Sequence, residues 1–237
     1  MSKISDAVNA LQTGRFVLIH DNKERENEVD MVISAESISP QHILTMRKDA
    51  GGLICTAISK EISIKLGLPY MYDILNIFGK SNQSISSITK NTSPYGDKPS
   101  FSITLNHVNT YTGITDYDRA LTISSLSKVC KDFDMGNKKN NVMLEEFQNN
   151  FRTPGHVPLL IASKGLLNER IGHTEMSIFL TKIANITNIT TICEMLDPSN
   201  YKALSYSDAC KYAKENDIVI LDSKDLLAYA NNIKTNE

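Results

Sequence analysis

The chain has 237 residues, 41% of them hydrophobic and 22% charged, with a formal net charge of −2. That balance suits a soluble globular protein and leaves no broad basic surface for gripping a nucleic acid. No uninterrupted run of about 18 apolar residues occurs, so no membrane partner is expected; four widely spaced cysteines, Cys55, Cys130, Cys193 and Cys210, make neither a Cys-x-x-Cys pair nor a disulfide framework.

Ile4, Val8 and Leu11 fall at helical spacing and Gly14 follows as a left-handed stop, which predicts a short helix over residues 3–13. This polar opening is no secretory signal, and a cytoplasmic setting is expected. Phe16-Val17-Leu18-Ile19 reads as a strand and Met31-Val32-Ile33 as its return. Between them runs His20-Asp21-Asn22-Lys23-Glu24-Arg25-Glu26-Asn27-Glu28-Val29-Asp30, which carries five carboxylates. Such crowding is relieved by bulk water, by a basic group or by a hard cation with oxygen ligands. A solvated hairpin loop is the plain alternative.

Ser39-Pro40 caps a helix that ends before Gly51-Gly52, and Leu53-Ile54-Cys55-Thr56-Ala57 is a buried strand. A helix over 59–66 stops at Gly67. Residues 70–99 are polar and hold Pro94, Gly96 and Pro99, which predicts a long surface connection. Phe101-Ser102-Ile103-Thr104-Leu105 alternates with period two, as a strand does, and a helix over 117–131 follows a turn. Residues 132–150 are rich in Asn, Lys and Asp, and a second surface excursion is expected there. The strand over 156–162 contains Pro158, a mark of an edge or a bulge. An amphipathic helix over 174–186, strands at 190–193 and 218–221, and two closing helices complete the chain. The expected fold is a single α/β (α+β layered) domain, a mixed sheet flanked by helices, without the Gly-x-Gly-x-x-Gly element of a dinucleotide site.

Four polar clusters stand at the ends of these elements. Arg170-Ile171-Gly172-His173-Thr174-Glu175 opens a helix: the glycine admits a ligand to the backbone, the threonine offers a hydroxyl and an amide, and the arginine is a forked donor suited to a phosphate. An ordinary capped helix start has the same residues. Arg152-Thr153-Pro154-Gly155-His156 repeats the Arg-Gly-His theme before a strand, Thr112-Gly113-Ile114-Thr115-Asp116-Tyr117-Asp118-Arg119 opens the central helix, and Cys193-Glu194 closes a strand at the kind of edge where α/β folds keep their sites.

Taken together with Asp49-Ala50-Gly51-Gly52-Leu53-Ile54-Cys55 and Phe101-Ser102-Ile103-Thr104, these motifs resemble 3,4-dihydroxy-2-butanone 4-phosphate synthase of riboflavin biosynthesis, from about residue 7 to residue 229. The resemblance is to the monofunctional form, without the GTP cyclohydrolase II module of bifunctional relatives. It implies a carbon–carbon lyase that turns D-ribulose 5-phosphate into L-3,4-dihydroxybutan-2-one 4-phosphate and formate, using Mg2+ or Mn2+, with two ions once substrate is bound. By the same resemblance Glu26 and His173 are metal ligands, and Glu28, Cys55, His156 and Glu194 are catalytic. Arg25, Glu26, Asp30, Thr112, Asp118, Arg170, Gly172, His173, Thr174 and Glu194 meet the substrate, in a homodimer with shared active sites. Val29 departs from the pattern, standing where many members have glycine, so the backbone there must suit a β-branched residue. A phosphosugar-binding protein without turnover is the competing reading, as is a metal-dependent isomerase or aldolase. Retention of Glu28, His156 and Glu194 favours the enzyme.

Overall fold

Both faces of the central sheet are apolar, so the sheet must be covered twice. Along β1 (Val17–His20) and β2 (Val29–Ser34) every residue is buried, and the same holds for β3 (Cys55–Ile58) and for all but the last residue of the strand that ends at Glu194. Side chains alternate between faces. Leu18, Met31, Ile33 and Cys193 enter one hydrophobic cluster; Val17, Ile19, Val32, Cys55 and Ile192 enter the other.

The computed structural model describes residues 2–91, 93–134 and 140–234. In chain order, α1 (Lys3–Gln12) precedes β1 and β2, then α2 (Pro40–Thr45), β3, α3 (Lys60–Lys65), α4 (Met71–Gly79) and α5 (Gln83–Ile88). Next come β4 (Phe101–His107), α6 (Asp116–Asp134), α7 (Asn140–Asn150), β5 (Phe151–Ile161), α8 (His173–Ile183) and β6 (Ile189–Glu194). A small β7 (Leu196–Asp197) and β8 (Lys202–Ala203) hairpin, α9 (Tyr206–Glu215), β9 (Val219–Asp222) and α10 (Ser223–Lys234) close the chain. The main sheet has seven strands in the order β4-β5-β3-β6-β2-β1-β9. The β1–β9 and β3–β5 pairs are parallel and the others antiparallel, which is the mixed sheet expected.

Helices α1, α8 and α10 supply Leu11, Met176, Leu180 and Leu226 to one cluster; α2 and α6 supply Ile43, Ile123 and Leu126 to the other. Each fully buried Leu or Ile contributes on the order of 2 kcal/mol, and the cluster under α2 and α6 is the larger of the two. Pro158 lies opposite Thr104 beside a register shift between β4 and β5, which makes it a bulge residue on an inner strand.

Two stretches expected as surface excursions contain helices. Residues 70–99 contain α4 and α5, whose Ile77, Phe78 and Ile88 are exposed. With its apolar side chains turned to solvent, the segment carries no core-facing stripe for periodicity to detect. Part of 132–150 forms α7, which buries Met143 and Phe147 one turn apart, with Phe147 stacked on Phe151 at 5.3 Å. Two anchors in an Asn-rich run suffice to dock the helix; residues 135–139 lie outside the described residues.

Candidate active site

The acidic connection is built around Asp21, which has no exposed surface. Its Oδ1 accepts the Glu28 amide at 3.0 Å, while Oδ2 accepts the Glu26 amide at 3.0 Å and Nη1 of Arg25 at 3.2 Å. The tight turn puts Asn27 at φ 55°, a conformation asparagine tolerates. Val29 is already in β2, paired with His20 and fully buried, so its branched side chain meets no strain. The loop thus presents Arg25 and Glu26 on a rigid frame.

Strand pairing sets the floor. Asp30 lies opposite Glu194 on neighbouring β2 and β6, and Cys55 lies opposite Ile192. All four share the sheet face beneath α8. Gly52 lets the β3 connection approach: a Cβ there would sit 2.6 Å from the Glu194 carbonyl oxygen. The next amide, of Leu53, donates to Oε2 of Glu194 at 2.7 Å and fixes that carboxylate.

Helix α8 begins at His173, which is 6% exposed. Its Nε2 stands 3.2 Å from the Glu28 carbonyl oxygen and its Nδ1 3.3 Å from Oε2 of Glu26. A ring N–H given to a backbone carbonyl leaves the other nitrogen facing Glu26, the arrangement by which a metal-binding imidazole is oriented. Ligand atoms of Asp21, Glu26 and His173 lie within 4.8 Å of one another. Oxygen donors with one imidazole fit a hard divalent ion. Oδ1 of Asp30, 3.8 Å from Nε2 of His173, is buried with no hydrogen-bond partner among the described residues, as an oxygen awaiting a ligand would be.

The electrostatics follow from this packing. Burial pushes the Asp30 carboxyl up to about 7; Glu194, Glu26 and Glu28 add to that, against the pull of His173. Burial alone would depress the His173 imidazole, but Asp30, Glu26 and Asp21 outweigh it and hold it at about 9. Burial likewise opposes ionisation of Glu26, yet the His173 hydrogen bond, Arg25 and Tyr95 bring it to about 2. Glu28 is raised, by burial and then by Glu26 and Glu194. Burial raises the Cys55 thiol well above its ordinary value, and its side chain lines the cleft.

Arg25, Glu26, Asp30, Cys55, Arg170, His173, Thr174 and Glu194 line one cleft of about 170 Å³. A larger cavity of about 350 Å³ lies on the far side of Arg170, lined by Tyr70, Tyr72 and Lys98, without the carboxylate–imidazole pair. Gly172 caps α8 where a Cβ would press on Glu175 Oε2 at 2.8 Å and on guanidinium nitrogens of Arg170 and Arg25 at 3.1 Å. Thr112, Asp118 and His156 do not line this cleft. They gather on the outer β4–β5 edge, where Asn106 accepts the His156 amide at 2.8 Å and donates to the Thr112 carbonyl at 3.1 Å, and Asp118 accepts the Gly113 amide at 3.0 Å.

Sequence reasoning did not single out Asp21, Tyr95, Asp97 or Glu175. Asp21 was legible only as one more acid in the run. Glu175 closes the Gly-His-Thr motif; it is fully buried, accepts the Ser163 amide and holds Arg170 at 3.0 Å. Tyr95 and Asp97 come from the stretch with no readable pattern.

Fold and cleft together define an α/β enzyme whose acid–base groups converge at one end of the central strands β3, β6 and β2. The profile of 3,4-dihydroxy-2-butanone 4-phosphate synthase matches residues 5–229. A 3,4-dihydroxy-2-butanone 4-phosphate synthase of Methanothermobacter thermautotrophicus is 45% identical over 224 residues, 94% of either chain. Among solved structures, the Candida albicans enzyme of that name superposes with a TM-score of 0.72 at 27% identity, over 97% of this chain and 98% of its own. Another, in complex with two magnesium ions, gives 0.78 at 25% identity over 99% of each. The chain belongs to the 3,4-dihydroxy-2-butanone 4-phosphate synthase family of riboflavin biosynthesis.

Proposed function

We propose that the protein converts D-ribulose 5-phosphate to L-3,4-dihydroxybutan-2-one 4-phosphate and formate in the cytoplasm, with Mg2+ or Mn2+ held by Glu26 and His173. The observation that carries this reading is the Glu26–His173 pair beside the unpartnered Asp30 oxygen, under Arg25 and Arg170. A bound divalent ion, two with substrate present, supplies Lewis-acid polarisation of the substrate's oxygens. Arg170 and Thr174, at the start of α8, bind the phosphate through forked donors and the helix terminus. Asp30, poised near neutrality, takes and returns a proton beside the substrate carbonyl. Glu194, anchored by the Leu53 amide, offers a second carboxylate across the strand pair. Cys55 and Ile192 give the cleft an apolar wall that limits water around the reacting carbons. Incubating the pure protein with ribulose 5-phosphate and Mg2+ should release formate, and a chelator should stop it. Binding without formate would favour a phosphosugar-binding protein.

Metal affinity should depend steeply on pH. At pH 7 the His173 ring holds a proton that a coordinated ion must displace, because its folded value lies near 9. Apparent Mg2+ affinity in the absence of substrate should then rise about tenfold per unit between pH 7 and pH 9 and level off above. Calorimetry in buffers of different ionisation enthalpy would detect about one released proton at pH 7 and fewer at pH 9.5. Affinity independent of pH in that window would remove His173 from the metal site.

The separation of Thr112, Asp118 and His156 from the cleft supports a homodimer in which this edge completes the partner's site. Complementation tests it. Glu26→Ala and Asp118→Ala proteins, each inactive, are unfolded together and refolded as a mixture. With shared sites, random pairing makes about half the dimers mixed, each with one intact site, so roughly a quarter of wild-type activity returns. No recovery in a mixture containing heterodimers would show that both residues serve the same chain's site.

A further inference from the structure

Arg25 and Arg170 approach the cleft from different elements, and one carboxylate oxygen joins them. Oδ2 of Asp97 lies 3.1 Å from Nε of Arg25 and 3.4 Å from Nε of Arg170. The same short segment lays the Tyr95 ring against the Arg25 guanidinium, 5.0 Å from its centroid, and donates the Tyr95 hydroxyl to Oε1 of Glu26 at 2.8 Å. The chain thus satisfies both arginines and Glu26 with its own groups.

The carboxylates around these arginines are not equivalent. Asp21 and Glu175 are completely buried and accept backbone amides, so they belong to the frame. The side chain of Asp97 is 35% exposed and comes from a turn closed by its own local bonds, Gly96 amide to Ser93 carbonyl at 3.0 Å and Ser93 Oγ to Asp97 carbonyl at 2.7 Å. Such a turn can lift away intact, because the bonds that shape it lie within it and only side-chain contacts tie it to the arginines.

We propose that Asp97 occupies, in the unliganded chain, the place between Arg25 and Arg170 that the substrate's phosphate takes, and that binding requires the phosphate to displace it. The inference rests on the assignment of Arg170 to the phosphate and extends it to Arg25, which shares the Asp97 oxygen. A single carboxylate charge competes poorly with a phosphate dianion and its three oxygens. Asp97 thereby acts as a counter-charge that only a phosphate-bearing ligand must displace; a sugar without the phosphate makes no claim on that place, while Asp21, Glu26 and Glu175 stay paired with the arginines throughout.

Removing the charge while keeping the shape is the test. Asp97→Asn protein, checked for an unchanged melting temperature, should bind inorganic phosphate about threefold to tenfold more tightly than wild type by calorimetry, because the competing anion is gone. KM for ribulose 5-phosphate should fall in parallel. Binding of unphosphorylated D-ribulose should not change, which separates loss of a competing charge from a general opening of the cleft. Equal or weaker phosphate binding by Asp97→Asn would overturn the proposal and make Asp97 part of the receiving site, as would an equal gain for D-ribulose. Arg170→Gln in parallel tells this failure from that of the underlying assignment: if wild type and Arg170→Gln bind phosphate alike, the arginine is no phosphate ligand and both readings fall.

Discussion

Asp30→Asn is expected to abolish formate release, by at least a hundredfold, and at the same time to stabilise the metal-free protein. The two effects share one cause. Asp30 is fully buried with one oxygen unpartnered, and burial raises its folded value to about 7 from an ordinary 3.8. A carboxyl whose folded value is raised costs nothing below its unfolded value, costs progressively more as pH rises from about 4 to 7, and costs the full amount above. Asparagine removes that charge at the same volume. Part of the gain is cancelled because Asp30 also helps hold the His173 proton, so the net stabilisation at pH 8 is about 1–2 kcal/mol, vanishing below pH 4. Urea unfolding of the metal-free variant at pH 4 and pH 8, with formate assays alongside, measures both. An active variant would remove Asp30 from the proton path. An inactive one that is less stable at pH 8 would contradict the account of a buried charge retained for function.

Glu26→Gln is the complementary case. Glu26 sits on the rim of the loop, 25% exposed at its side chain, and its carboxylate meets Arg25 at 2.8 Å, Tyr95 at 2.8 Å and His173 at 3.3 Å. The amide keeps one acceptor but loses the charge that a divalent ion requires, so turnover should drop about a thousandfold or more and added Mg2+ should not restore it. The fold is held by Asp21 and the sheet, so the loss of stability should stay within about 1 kcal/mol. The His173 imidazole, relieved of its ion-pair partner, should titrate below its wild-type value of about 9 in a proton NMR titration. Near-normal turnover would show that the ion, if used, is held elsewhere.

These two residues also show what a sequence can and cannot convey. The acidic run, the Gly-His-Thr helix start and the strand-end Glu194 were legible because each combines an unusual local composition with the edge of a periodic element. The meeting of Asp30 with Glu194, and of His173 with Glu26, depends on strand order and register, which place β2 beside β6 and α8 above them. No spacing along the chain encodes that. Residues 132–150 misled for the opposite reason: the two apolar anchors of α7 are diluted by asparagine and lysine, so composition outweighed a real pair of buried contacts. Tyr95 and Asp97 escaped because a turn of Ser, Pro and Gly announces a turn and nothing of what its side chains touch.

Whether this cleft removes one carbon from ribulose 5-phosphate as formate is decided by watching substrate and formate together. Proton NMR of the pure wild-type protein with ribulose 5-phosphate and Mg2+ follows both species at once. One formate singlet should grow for each ribulose 5-phosphate consumed, and excess chelator should stop both changes together. Consumption of the sugar phosphate without formate would identify an isomerase or aldolase and contradict the account.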